Sequence, residues 1–456
     1  MSIPQTGGEP VESYDQLVEY CAAGSKPASD WRIGTEHEKF GFIEATGQPL
    51  PYSGDCSIRV LLQGLRDEFG WGEICEAGNI IGLQKDGANI SLEPGGQLEL
   101  SGAPLKTLHE TCDEVNEHLR QVRSLADRIG ARFVGIGAAP DWHHDEMPVM
   151  PKGRYRLMTD YMRQVGIFGV AMMYRTCTVQ VNLDYSSEAD MVRKLRVGLA
   201  LQPLATALFA NSPYFEGRRT GLLSTRSRFW RDLDADRTGM LPFVFDEGFG
   251  FQAWTDYALD VPMYFVYRDG VYHDALGQSF RDFMQGRLPA LPGEKPLMSD
   301  WADHLTTIFP EARVKRFIEL RGADAGPWRS LCALPAFWTG IFYHQPALDA
   351  AWDMVKNWDS ETREGLRVVA GQRGFEGEFN GIHIGKSAES ALALATEGLK
   401  ARAAQGVGGM VPDETHFLNS LHDSIETGLT PAEELMHRVD AEWDGDLRRI
   451  LRECSY

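Results

Sequence analysis

Trp31-Arg-Ile-Gly-Thr-Glu-His-Glu-Lys-Phe-Gly-Phe42 is the stretch around which the rest of the chain is organised. It reads as a β-strand, and side chains alternate faces along a strand. Glu36, Glu38, Phe40 and Phe42 therefore share one face, and Ile33, Thr35, His37 and Lys39 share the other. Two carboxylates about 7 Å apart along a strand can bind one hard cation together or two neighbouring ones. An edge strand with solvated charges has the same pattern, so the remaining strands must decide.

Three further stretches supply polar faces. In Ser91-Leu-Glu-Pro-Gly-Gly-Gln-Leu-Glu-Leu-Ser101, Gln97, Glu99 and Ser101 lie on one face, and Pro94-Gly95-Gly96 interrupts the ladder. From Arg175 to Tyr185, Thr176, Thr178, Gln180, Asn182 and Asp184 alternate with Cys177, Val179, Val181, Leu183 and Tyr185. A face of Thr, Gln and Asn suits the floor of a binding cavity better than open solvent. Arg313 to Arg321 reads as another strand, with Glu319 and Arg321 on one face and Ile318 and Leu320 on the other. The simplest assembly is one antiparallel sheet with its polar faces lining a cleft and helices over its apolar side.

Four or more carboxylates in one cleft repel, by about 4 kcal/mol for a pair 4 Å apart at an effective dielectric of 20. Divalent cations remove that penalty, and all-oxygen ligands favour Mg²⁺ or Mn²⁺ over zinc. Such a cleft with arginines nearby is what phosphoryl transfer from ATP requires. Lys152-Gly-Arg-Tyr-Arg156 is a basic loop that reads as an anion clamp ahead of a helix at 157–164. Asp141-Trp-His-His-Asp-Glu146 looks like a metal cluster, but neighbouring loop residues rarely converge on one ion.

The composition bounds the partners. Of the 456 residues 43% are hydrophobic and 24% charged, an ordinary globular balance. The net charge of −20 argues against nucleic acid and anionic membrane surfaces as partners. Cys21, Cys56, Cys75, Cys112, Cys177, Cys332 and Cys454 are odd in number and scattered, which fits a reducing cytosol and argues against a disulfide framework. Met1 to Val11 has no secretory signal pattern, and the longest apolar stretch, Val197 to Ala210, is too short to span a bilayer. A cytoplasmic protein is expected. One domain over 1–456 is expected too, with a flexible lead-in and short helix at 1–30 and a mainly helical region from about 330.

The sequence resembles the plant and proteobacterial type of glutamate–cysteine ligase, within the glutamine-synthetase-like carboxylate–amine ligases. The resemblance covers nearly the whole chain and rests on RIGTEHEKFGF (32–42), MPKGRYRLM (150–158), MMYRTCTVQVNLDYSSEADMVRK (172–194), GLALQPLATALFANSP (198–213), DRTGMLPFVFD (236–246), YALDVPMYF (257–265), HLTTIFPEARVKRFIELRGADAGPW (304–328) and LCALPAFW (331–338). It implies an α+β fold with a curved antiparallel sheet lining the cleft. It also implies L-glutamate, L-cysteine and ATP as substrates, and γ-glutamyl phosphate on the way to γ-glutamylcysteine, the first step of glutathione biosynthesis. Glu36, Glu38, Glu93, Glu99 and Glu319 would be metal ligands, and Glu38 and Arg321 catalytic. Lys152, Gln180, Asn182 and Arg321 would face the nucleotide, although Gln180 stands where more distant relatives have His. Arg154 and Arg218 are candidates for substrate carboxylates. Met173 and Tyr174 are candidates for the cysteine side-chain pocket, with ordinary core packing as their alternative. A monomer or homodimer fits. The redox cysteine pair that plant members carry around 272–292 has no counterpart here, since no cysteine lies between Cys177 and Cys332. Three readings compete: a ligase for another amine, a metal-dependent hydrolase on the same carboxylates, and a silent binding protein.

Overall fold

A computed structural model describes residues 5–405 and 412–456. Residues 1–4 of the lead-in lie outside the described residues. At its centre is a nine-stranded antiparallel sheet. Its strands are β1 (Ile33–Ile43), β2 (Gly72–Glu76), β3 (Asn79–Lys85), β4 (Ala88–Leu92), β5 (Leu98–Ser101), β6 (Ala131–Val134), β7 (Thr178–Leu183), β8 (Ala312–Val314) and β9 (Ile318–Asp324). The spatial order is β8-β9-β7-β1-β5-β4-β3-β2, with β6 beside the far half of β1. Register brings the polar positions together: Glu36 lies opposite Gln180 and Ser101, Glu38 opposite Glu99, and Glu319 opposite Asn182.

Six helices matter for the site: α1 (Ile58–Phe69), α2 (Leu108–Ile129), α3 (Gly153–Met162), α4 (Gly169–Arg175), α5 (Glu188–Leu208) and α6 (Trp328–Phe342). The apolar side chains of β7, Val179, Val181 and Leu183, are fully buried in one core with Leu195 and Leu199 of α5 and Leu334 and Phe337 of α6. That burial, worth about 1.5–3 kcal/mol for each large side chain, holds the sheet's back and leaves its polar face toward the cleft. From Trp328 onward helices dominate, as expected. The Thr430/Glu433 capping box opens Pro431–Ala441.

The structure differs from the sequence expectation in four places. Residues 313–321 are not one strand but a hairpin, β8 and β9, in which Lys315 N donates to Phe317 O across the turn. Pro94-Gly95-Gly96 is the turn of the β4–β5 hairpin, closed by Gly96 N to Glu93 O at 2.9 Å. Gly96 sits at φ +81°, and a Cβ on Gly95 would lie 2.3 Å from the carbonyl oxygen of Tyr174, so glycine is needed at both positions. The helix placed at 157–164 starts earlier, at Gly153, with Lys152 as its N-cap residue. Finally, Cys112 of α2 and Cys332 of α6 are joined in a disulfide with Cα atoms 5.8 Å apart, where the scattered cysteines gave no reason to expect one. Sequence spacing carries no information on a pair 220 residues apart; only packing brings the two helices together.

A carboxyl on α2 sets a pH dependence. Glu114 accepts a hydrogen bond from Ala103 N at 2.9 Å, but burial pushes its carboxyl up to about 7. A raised folded-state value means the fold holds a proton that the unfolded chain releases near pH 4.3. This stability is fully present below that pH and is lost as pH rises through 7. Glu114→Gln, neutral throughout, should match the parent near pH 4.5 and be more stable by roughly 2–3 kcal/mol at pH 8. Denaturant melts at the two pH values check this, and an equal gap at both would refute it.

Candidate active site

The cleft lies on the polar face of β1, β5, β7 and β9, and its floor is built by register. Glu36 Oε1 accepts from Asn182 Nδ2 at 2.9 Å. Glu38 Oε2 accepts from Thr178 N at 3.0 Å. Glu99 accepts from Ser101 Oγ at 2.6 Å and Ser91 Oγ at 3.1 Å. Glu93, on the β4–β5 turn, lies 3.2 Å from the Tyr155 hydroxyl. Burial raises the Glu36 carboxyl, helped by Glu319 and Glu99. Burial also raises the Glu38 carboxyl well above its ordinary value, helped by Glu93 and Glu99.

At the β8–β9 end the balance reverses. Burial would raise Glu319, but Arg313, Lys315 and Arg321 outweigh it and hold the carboxyl well below its usual range. Arg313 Nε lies 2.5 Å from Glu319 Oε2, Lys315 Nζ 3.5 Å from Oε1, and Arg321 3.6 Å from Oε2. Burial, then Arg313, brings Arg321 down to about 10, so it remains a cation at neutral pH.

Two connected cavities open on this floor. The polar one, about 80 Å³, is lined by Glu36, Glu99, Gln180, Arg154, Arg313 and Glu319 among others. The mixed one, about 90 Å³, has apolar walls of Met158, Met172, Met173, Trp230 and Phe309, with Thr178 and Arg226 at its polar side. Glu38, Glu93, Tyr155, Met158, Phe309 and Arg321 line both, and Arg321 is the cation shared by the two among the described residues. Arg154 is buried beside Thr306 (3.3 Å to Oγ1), its guanidinium over the Phe265 ring at 4.9 Å. Its Nε and Nη1 have no hydrogen-bond partner among the described residues, and a buried guanidinium in that state calls for an anion.

Of the expected site residues, Glu36, Glu38, Glu93, Glu99, Gln180, Glu319, Arg321, Arg154 and Met173 line the cleft. Asn182 stands behind Glu36 as its hydrogen-bond donor. Three do not fit. Lys152 is buried beneath the β4–β5 turn, where its ammonium donates to Leu92 O at 2.8 Å, so it is a floor support and not an exposed phosphate clamp. Tyr174 on α4 turns away, its hydroxyl 2.9 Å from Thr159 Oγ1 and its ring against His144, which leaves it in the core. Arg218 lies on a small outer hairpin with its side chain 77% exposed and Glu216 at 4.0 Å, remote from the cleft lining.

Sequence reasoning missed Arg226, Trp230, Phe309, Arg313 and Lys315. Arg226 sits in an arginine-rich run with Arg228 and Arg231, and nothing local separates the buried one from its neighbours. The face alternation of 313–321 would have placed Arg313 with Glu319, had the hairpin turn been recognised.

The oxygen-only donor set fits a hard divalent cation. As they stand, no three carboxylates among the described residues are gathered closely enough to hold one. Each is turned to a hydrogen-bond or ion-pair partner instead, so binding would have to redirect side chains on a fixed floor.

With this geometry in view, the family model described as glutamate–cysteine ligase family 2 matches residues 32–453. The chain belongs to the glutamate–cysteine ligase family. The chloroplastic glutamate–cysteine ligase of Medicago truncatula is 52% identical over 98% of this chain and 86% of its own length. That of Arabidopsis thaliana is also 52% identical, over 98% and 84%. A solved glutamate–cysteine ligase from Francisella tularensis in complex with AMP superposes with TM-score 0.52 at 13% identity, covering 93% of this chain and 88% of that one, a likeness of fold. The names of the plant ligases overturn the cytoplasmic expectation: these relatives are chloroplast proteins. The number and spacing of the cysteines carry nothing that separates one compartment from another.

Proposed function

We propose that this ligase joins L-cysteine to the γ-carboxylate of L-glutamate using ATP, within one catalytic domain over 1–456. The observation that carries the assignment of parts is the junction at Glu38 and Arg321, where an acidic, cation-rimmed cavity meets a small sulfur- and aromatic-lined one. Glutamate carboxylate oxygen attacks the γ-phosphorus, ADP leaves, and γ-glutamyl phosphate forms. The cysteine amine then attacks the acyl carbon, and phosphate leaves. Arg321 faces the transferred phosphoryl group at the junction and supplies fixed positive charge where negative charge develops. Arg154 suits the glutamate α-carboxylate. Arg226, with Nη2 on Arg321 O at 2.9 Å and Nε unpartnered among the described residues, suits the acceptor carboxylate. Met158, Met172, Met173 and Phe309 exclude water from the acyl phosphate and pack a thiol-sized side chain.

Glu36, Glu38, Glu93, Glu99 and Glu319 would hold Mg²⁺, or Mn²⁺, which when bound screens the phosphate charge of ATP. Chelation should abolish ADP release, and either ion should restore it. The deciding experiment measures ADP release with ATP, Mg²⁺ and glutamate, with and without cysteine, against a panel of other amines. Strong stimulation by cysteine alone is expected; stimulation by a different amine would change the product, and none at all would sink the ligase reading.

A further inference from the structure

We propose that Arg313 is a positioning residue that sets the wall shared by the two cavities from the carboxylate of Glu319. The inference rests on the ligase reading and adds a residue to it.

Arg313 is buried on β8 and works in two directions. Its Nε lies 2.5 Å from Glu319 Oε2. Its Nη1 donates to Ile308 O at 2.6 Å and Thr306 O at 3.1 Å, with Leu305 O at 3.5 Å. Thr306 O and Ile308 O belong to the turn that follows the helix Met298–Leu305, and Leu305 O to the last residue of that helix. The segment 306–309 carries two working groups. Thr306 Oγ1 receives a hydrogen bond from Arg154, and the Phe309 ring, at the start of a two-residue strand paired with Thr238–Gly239, lines both cavities and lies 5.7 Å from the Arg321 guanidinium.

Buried backbone carbonyls need donors. One planar, forked cation supplies them here while its other edge is fixed on a carboxylate of the phosphoryl end. The loop's height over the floor is therefore referenced to Glu319. A second arginine, Arg237, holds the next carbonyl, Thr307 O, at 3.0 Å, but its partner is Asp234, outside the cleft. Arg313 is the one of these two that ties the wall to the reacting centre.

A lysine at 313 keeps charge near Glu319 but is a point donor and cannot span carboxylate and carbonyls together. In Arg313→Lys the KM values for glutamate and for cysteine should each rise at least about tenfold, a larger change than the fall in kcat. Hydrogen exchange of the 306–309 amides should rise in the variant without substrates, a readout independent of turnover. Arg313→Gln, which keeps a donor for Ile308 O but no charge for Glu319, should raise the same exchange and lower kcat further. A folded Arg313→Lys with both KM values within twofold of the parent, or with unchanged exchange at 306–309, overturns the inference. So does failure of both variants to fold, since Arg313 is then a folding residue. If the parent itself shows no stimulation by cysteine, the ligase reading fails and takes this inference with it; a stimulated parent with unmoved KM values in the variant removes the inference alone.

Discussion

Arg321→Ala should lower kcat by about 10³-fold or more with the fold retained. The side chain projects from β9, its guanidinium 5.5 Å from the Trp230 ring and 5.7 Å from the Phe309 ring. It is the cation common to both cavities among the described residues, and on the proposed assignment the transferred phosphoryl group passes beside it, with Arg226 next to it, Nη2 on Arg321 O at 2.9 Å. Truncation leaves Glu319 ion-paired to Arg313 and Lys315, and no carboxylate is stranded. Substrate KM values should change far less than kcat, because the lost interaction belongs to the transition state. Circular dichroism should be unchanged, and Arg321→Lys should recover only part of the rate. A folded alanine variant with kcat within tenfold of the parent would remove Arg321 from the chemistry.

Glu38→Gln should produce the opposite pairing of effects, a comparable fall in kcat with a rise in Tm. The amide is nearly isosteric, and its oxygen can still accept from Thr178 N, so the strand geometry survives. The parent carboxyl is held well above its ordinary value by burial and by Glu93 and Glu99, which means its charged form is unfavourable in the folded protein. Neutralising it relieves that strain and, on the proposed assignment, removes a metal donor at the same stroke. The Mg²⁺ concentration giving half-maximal rate should rise, and calorimetric binding of Mn²⁺ should weaken in parallel. A variant that loses activity but melts lower than the parent would point to a packing defect instead.

The floor of the site was legible in the sequence because it is a property of strand faces. Alternation in β1, β5, β7 and β9 identifies Glu36, Glu38, Glu99, Gln180 and Glu319 as co-facial within their own strands, and one antiparallel sheet brings those faces together. Loop residues that cover the floor were not legible. Arg218 and Arg226 are eight residues apart in one turn-rich basic region, yet one is solvent-exposed and the other 2% exposed. Local pattern does not report which way a short loop folds back. Tyr174 failed for a related reason. Its neighbour Met173 lines the cavity, whereas Tyr174, about 100° further round the short α4, packs against Thr159 and His144. β2 escaped notice because Gly72, Glu73 and Cys75 are exposed, Ile74 and Glu76 only partly buried, and the strand shows no apolar alternation.

The strand order has a consequence for how the molecule comes into being. β1 is an interior strand whose partners are β5 on one side and β7 on the other, and β7 is synthesised about 140 residues later (Glu36 pairs Gln180). β9, on the far side of β7, follows later still. A chain emerging from its N-terminus thus produces Glu36, Glu38, Glu93 and Glu99 well before Arg226, Arg313 and Arg321. The first carboxylates made repel one another, and β7 and the cations Arg226, Arg313 and Arg321 that oppose them come later. Long-range pairing of this kind is intrinsically slow. A truncation before β9 should leave β7 as an unpaired sheet edge beside a carboxylate floor that lacks Arg313 and Arg321.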